Sequence, residues 1–250
     1  MAQDKDPSSW NLTQARLTAF PLVPLEYSLF NWWVELFGEK PATRTELPRE
    51  GRLSEEGSFA SEKLRLTIQP HRVDWFFQPS DEKVSESPAP ADIGSWPKAI
   101  DGFSGFAKSW IKTKSLPEFR RLAFGAILSE PVKDGKDGYK KLSKYLPTVK
   151  IDPENSTDFF YQINRPRDQS TVLPEVSINR LCKWSVSQEQ MGIIRPGELT
   201  LVPTSSFFAC RLETDINTSP DFRYKLEKLE LLYDEFVNLA IEISEKGDIK

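Results

Sequence analysis

One histidine, two cysteines and a scatter of carboxylates bound the chemistry this sequence can do. His71 is the only histidine in 250 residues, so Ser-His-Asp and Cys-His catalysis would both have to run through it. It lies between Pro70 and Arg72, where the flanking pattern predicts a hairpin turn. A general base there needs a carboxylate or hydroxyl partner, and the sequence does not place one. Cys182 and Cys210 stand 28 residues apart. A disulfide scaffold needs more cysteines, and a zinc site needs closer spacing or histidine partners. Both thiols fall on the apolar phase of predicted strands, which favours two small buried hydrophobes over a reactive nucleophile.

Carboxylates offer a second chemistry. Asp152, Glu154 and Asp158 could gather with Glu213 and Asp215 around Mg²⁺, as in nucleases. Glu213 and Asp215 are two residues apart and share one strand face, a geometry that suits a metal ion and equally suits the solvent side of a sheet. No phosphate-cradling glycine loop, HExxH, CxxC, GxSxG or EF-hand loop is present. Gly135 and Gly138 lie among Lys133, Lys136 and Lys140. They could meet a phosphate, but a surface turn is the simpler reading. The expectation is therefore no catalytic constellation, no metal and no cofactor.

Anion binding is the third chemistry. Ile163-Asn164-Arg165 and Ile178-Asn179-Arg180 repeat a tripeptide in or beside successive predicted strands. If those strands pair, Arg165, Arg167 and Arg180 could converge on a carboxylate or phosphate. Arg180 interrupts an apolar alternation, so it should be partly buried and need a partner such as Asp158 or Asp215. The charge is also uneven. Residues 108–150 hold eleven Lys/Arg and four Asp/Glu, while 213–250 hold five against ten and 46–101 seven against eleven. Lys133, Lys136, Lys140 and Lys141 belong to the basic stretch. It reads as a solvated face or as the seat of an anionic partner, whether nucleic acid or an acidic protein. An isoelectric point near 5.3 weighs against a dedicated nucleic-acid binder.

The elements that must position these residues are legible in outline. A period of three and four predicts a helix over Leu25–Phe37, though its aromatics also fit a strand; Gly38 and Pro41 close it. Residues 38–61 read as a long loop, and 79–95, rich in proline, serine and acid, as a mobile one. Leu64, Leu66 and Ile68, then Val73, Trp75 and Phe77, alternate around Pro70-His71 and predict a hairpin. Ser95 and Pro97 are placed to start a helix with Ile100, Phe103, Ala107 and Trp110 on one face. Leu122–Leu128 reads as a buried strand, followed by a lysine-rich helix with Tyr139, Leu142, Tyr145 and Leu146 inward. Alternation predicts strands around Phe159–Ile163, Val176–Val186 and Phe208–Ile216.

The final element is a helix capped by Ser219 with Pro220 in its first turn. Phe222, Leu226, Leu229, Tyr233, Phe236, Ala240 and Ile243 form its seven-residue stripe. The stripe could seat a homodimeric coiled coil, but its aromatics and alanine fit packing across the chain's own sheet better. The sum is one α+β domain over residues 1–250: a mostly antiparallel sheet, helices packed on one face and a long C-terminal helix. No apolar run spans a membrane and no secretory leader is evident, so the expected compartment is the cytoplasm with reduced thiols.

Pro24-Leu25-Glu26, the Leu64–Phe77 hairpin, Arg121-Leu122-Ala123-Phe124, Ile178-Asn179-Arg180 and Leu212-Glu213-Thr214-Asp215-Ile216 occur in this order. The order resembles a family of sporadically distributed, uncharacterised bacterial proteins of about this length. The resemblance implies a patchy occurrence like that of mobile antiviral defence or toxin–antitoxin genes, and no activity to carry over. Function is expected to be that of a non-enzymatic protein–protein interaction subunit of such an assembly. The alternative is a nucleic-acid-binding protein, or Mg²⁺-dependent nuclease, using the 108–150 stretch. A third reading is a ligand sensor with a pocket of Trp and Phe.

Overall fold

A computed structural model of the chain describes residues 9–86, 91–193, 202–219 and 227–248. The strands are β1 (Asn11–Pro21), β2 (Thr43–Leu47), β3 (Arg52–Phe59), β4 (Glu62–Gln69), β5 (Arg72–Gln78), β6 (Gly94–Ser95), β7 (Phe119–Val132), β8 (Phe160–Asn164), β9 (Ile178–Ile193) and β10 (Val202–Thr218). The α-helices are α1 (Trp32–Phe37), α2 (Asp81–Glu86), α3 (Asp101–Ile111), α4 (Gly135–Tyr145) and α5 (Leu229–Lys246). The strands form one sheet in the order β2-β3-β4-β5-β1-β7-β10-β9-β8, with β6 beside β1. Every pairing is antiparallel. The class is α+β, as the alternating patterns imply.

Side chains alternate across a strand, and register sorts them into two sets. In one set Leu66, Trp75, Leu17 and Phe124 line up across β4, β5, β1 and β7. Leu128, Leu212 and Trp184 do the same across β7, β10 and β9. All are fully buried in one continuous apolar cluster. Helix side chains rest on this set. Phe103 of α3 stacks on Phe77 at 5.5 Å and Phe106 meets Trp75 edge-on at 4.7 Å. Tyr233 of α5 meets Phe124 edge-on at 5.7 Å. Trp33 of α1 lies 6.1 Å from Trp75. Each such pair adds about 0.5–1.5 kcal/mol to the area it buries. Gly57 makes room for Trp33, because a Cβ there would stand 2.5 Å from the indole ring.

Several expectations are corrected. Residues 38–61 are not a long loop. They form β2, a 3₁₀ turn over Pro48–Glu50 and β3. The inward positions of β3 are Leu53, Glu55, Gly57 and Phe59, so a glutamate and a glycine interrupt the apolar alternation that would announce the strand; Glu55 is buried against Arg44 at 2.6 Å. Residues 79–95 hold α2 and β6, while 87–90 lie outside the described residues. The helix expected over Leu25–Phe37 is a 3₁₀ turn at Tyr27–Leu29 followed by the six residues of α1. Gly38 closes α1 in the left-handed conformation, as anticipated. Ser95 does not cap a helix but pairs with Asn11; the face Ile100, Phe103, Ala107 and Trp110 is nevertheless buried.

The final helix begins at Leu229 and runs 18 residues, about 27 Å, rather than starting after Ser219. Ser219 donates its backbone N–H to the Ser177 carbonyl; the cap expected of it, and Pro220, Phe222 and Leu226, fall on residues outside the described ones. Tyr233, Phe236, Ala240 and Ile243 are buried in the chain's own core, so this described part of the stripe packs within the chain. The β4–β5 hairpin has its two-residue turn at Pro70-His71. β7, α4, β8, β9 and β10 occupy the segments their patterns predict. Among the described residues no helix is long and apolar enough to cross a membrane.

Candidate binding surface

The second set of sheet side chains is charged. Glu56, Arg65, Phe76, Arg16, Gly125, Asp215 and Leu181 line up across β3, β4, β5, β1, β7, β10 and β9. The adjacent row carries Lys63, Gln78, Gln14, Ile127, Glu213 and Lys183. On the other side run Ser54, Thr67, Asp74, Thr18, Ala123, Asn217 and Asn179. The Arg65, Arg72, Lys183 and Arg211 side chains keep 34–38% of their surface. This is the polar face of an antiparallel sheet, extended over seven strands.

Its geometry is specific. Arg16 and Asp215 sit on strands separated by β7, yet their side chains meet at 3.0 Å. Gly125, in register with both, has no side chain to intervene; a Cβ there would stand 3.6 Å from the guanidinium. A hollow of about 160 Å³ opens over this point, lined by Arg16, Gly125, Leu181, Lys183, Glu213 and Asp215. Lys183 and Glu213, directly opposite on β9 and β10, approach to 3.5 Å. Arg65 lies 4.7 Å over the ring of Phe76, its cross-strand neighbour. At the end of the sheet Phe20 holds Arg121 at 5.0 Å and Arg72 at 5.9 Å. Arg72 also donates to buried Asp74 at 2.9 Å, and Asp74 accepts from Thr18. Arg121 donates to the Asn217 amide oxygen at 2.8 Å. Burial, reinforced by the neighbouring charge of Arg72, lowers the Arg121 pKa against the pull of Asp215.

The sequence-predicted arginines meet elsewhere. β8 and β9 pair, and the two Ile-Asn-Arg segments join through an Asn164–Asn179 side-chain bond. Arg165 grips Asp248 through Nε and Nη2, both at 2.9 Å, and Tyr161 donates to the same carboxylate. Arg167 reaches Glu242 at 3.0 Å. Hydrogen bonds from Arg165 hold the Asp248 carboxyl below the usual range. Arg180 is 4% exposed, and its Nε donates to the Arg165 carbonyl at 2.7 Å. Neither Asp158 nor Asp215 is its described partner; Asp215 belongs to the charged face. Arg165 and Arg167 therefore tie Asp248, just past α5, and Glu242 of α5 to the sheet edge, while Arg180 holds the Arg165 backbone.

The lysines are engaged as well. Lys136 pairs with Glu154 at 2.6 Å, Lys140 lies 3.9 Å from the same carboxylate, and Lys141 pairs with buried Glu130. The Lys133 backbone N–H donates to Asp137, while Asp134 accepts from the Asp137 N–H, which caps α4 from both directions. Gly138 is a packing glycine, since a Cβ would stand 2.8 Å from Val186. Lys108 and Lys112 of α3 pair with Asp234 and Glu230 of α5, so part of the basic stretch is matched by the acidic C-terminal one.

The carboxylates that could have gathered around a metal are engaged otherwise. Glu213 and Asp215 do share a face, but they bind Lys183, Arg211 and Arg16, while Asp152 ties down its own turn at Glu154 and Asn155. Among the described residues no three His, Cys, Asp or Glu side chains could hold a metal ion. His71 is exposed at its turn. Both cysteines are buried, and burial pushes each thiol up to about 12.

The signal for the charged face that sequence reading passed over is an i, i+2 alternation of ionic residues opposite the apolar phase: Lys63/Arg65, Arg72/Asp74, Glu213/Asp215. No protein-family model matches the chain, and no curated protein matches it.

Proposed function

We propose that the protein is a non-enzymatic binding subunit whose partner, another protein, docks on the charged face of the sheet, with the helices gathered on the apolar side. One observation carries the reading: a half-exposed lattice of guanidinium, ammonium and carboxylate groups in register across seven strands. Such a lattice gives a partner orientation and register. The pairing of Lys108, Lys112, Lys136 and Lys141 within the chain favours this over a nucleic-acid reading of the 108–150 stretch. The raised thiols fit a structural role in a reducing cytoplasm. The resemblance to patchily distributed bacterial proteins extends the proposal to a subunit of a defence or toxin–antitoxin-type assembly.

A photo-crosslinking amino acid placed at Gln14 or Thr45 on the charged face, and at Lys144 on α4, tests the docking surface in host cells. Discrete protein adducts from the first two sites alone are expected. Adducts only from Lys144, or nuclease-sensitive adducts from the charged face, would overturn the reading.

A further inference from the structure

We propose that the Arg72–Phe20–Arg121 row at the end of the charged face is the seat for a carboxylate of an acidic protein segment. The inference rests on the reading of that face as the docking surface and names the partner's chemistry there. Arg121 and Phe20 are paired across β7 and β1, and Phe20 lies one residue beyond the Ala19–Val73 pair that joins β1 to β5. The ring thus stands between two guanidiniums, at 5.0 and 5.9 Å. Stacking on a ring fixes the plane of each fork while leaving its edge for hydrogen bonds.

The charges in the row are unbalanced. Arg72 already meets both oxygens of buried Asp74, Nε at 2.6 Å and Nη2 at 2.9 Å, and that carboxylate also takes the Thr18 hydroxyl, so the fork open to a ligand is that of Arg121. Arg121 rests on a neutral amide oxygen. Arg52, at the start of β3, adds a cation to the same end of the face, two strands from Arg72 and four from Arg121, so that an extended acidic segment would meet both ends of the row. A planar carboxylate accepts two parallel N–H bonds from such a fork. An acidic partner would also relieve the repulsion between Arg72 and Arg121.

Two features favour a protein over a nucleic acid. Asp74 stands in the adjoining row, Glu56 and Asp215 in the next and Glu213 in the one beyond, where they would oppose a continuous phosphate backbone running across the face, whereas a protein can set its own cations against them. Phe20 is flanked by two guanidiniums, so within the row its ring is already engaged where a base would stack.

The test uses the full chain and two labelled probes, a short poly-L-glutamate peptide and oligo-dT of equal charge, followed by fluorescence anisotropy at low salt. Poly-L-glutamate is expected to bind more tightly than oligo-dT. Arg121→Gln is expected to weaken it about tenfold, with Arg121→Lys intermediate because charge is kept and the planar fork is lost. Arg165→Gln, in the separate clamp, should leave binding unchanged. Should Arg121→Gln lower the melting temperature by itself, Arg52→Gln reports on the same row. Peptide binding insensitive to both Arg121 and Arg52, or tighter oligo-dT binding that depends on them, would overturn the carboxylate seat. Charge-face crosslinks that persist in Arg121→Gln would then show the docking surface standing without this seat. Loss of those crosslinks in the unsubstituted chain would remove the surface reading itself.

Discussion

The two faces of the sheet share every backbone hydrogen bond yet are held by different physics. On one, Trp75, Leu17, Phe124 and Trp184 have no exposed surface, and their stability comes from area removed from water and from ring contacts. On the other, Arg16, Lys183, Glu213 and Asp215 keep about a third of their surface, and water screens their attractions. The first face determines whether the chain folds. The half-exposed pairs of the second should change with little effect on folding, unlike its buried Thr18–Asp74 pair. Substitutions should separate these roles.

The largest loss is expected at Trp75. It touches Trp33, Phe106 and Trp110 at 4.7–6.2 Å, so Trp75→Ala removes the hub of the ring cluster and should cost about 3–5 kcal/mol, read as a fall in the denaturation midpoint. Gly57→Ala perturbs the same cluster from the opposite direction by pushing a methyl into the Trp33 ring. If Trp75→Ala unfolds at the parental midpoint, stability does not reside on the apolar face.

The C-terminal clamp is intermediate, being ionic but shielded. Asp248 keeps 1% of its side-chain surface and takes bonds from Arg165 and Tyr161. Asp248→Ala should cost about 1–3 kcal/mol. Its folded pKa is depressed. The contribution is therefore complete above the ordinary carboxylate value, about 3.9, and is lost as pH falls through the lower folded value. Glu55 has the opposite sign: burial raises its pKa against the pull of Arg44, so its contribution weakens as pH rises through the raised value. Acid titration of Asp248→Ala against the parent should show the difference shrinking at low pH; a constant difference would remove the ionic account.

Legibility in the sequence follows the same division. The hairpin of Leu64–Phe77 and the strand at Leu122–Leu128 were readable because their inward residues are large, apolar and regularly spaced. β1, the strand between β5 and β7, was not anticipated. Its inward residues include only Leu12, Ala15, Leu17 and Ala19, and a register shift near Thr13 breaks their alternation. β3 was hidden because a buried glutamate and a glycine stand where apolar residues would mark a strand. The repeated Ile-Asn-Arg marks two successive strands, and the pairing it leaves as a condition is present as β8 with β9. The roles of its arginines were not readable, because Arg165 and Asp248 lie 83 positions apart. The charged face was legible only as alternating ionic residues; which cation meets which anion depends on strand order, as for Arg16 and Asp215, 199 positions apart.

On the charged face itself, Arg16→Ala should cost at most about 1 kcal/mol, because Asp215 regains water in the hollow over Gly125. The expected consequence is instead a loss of charge-face crosslinks with the melting temperature nearly unchanged. A large fall in melting temperature would make the Arg16–Asp215 bridge part of the folding machinery and weaken the contrast between the faces.

The smallest effect tests that contrast most finely. Lys183 and Glu213 are directly opposite, approach only to 3.5 Å and are each about a third exposed. Glu213 also has Arg211 at 3.1 Å, so loss of Lys183 leaves it a counter-ion. A double-mutant cycle of Lys183→Ala and Glu213→Ala should return a coupling of about 0.2–1 kcal/mol, reduced further in high salt. A cross-strand pair in a dry environment would couple more strongly and resist salt. A coupling of several kcal/mol that persists in salt would mean that this face is as dry as the one beneath the rings, and an aqueous partner would then have no access to its charges.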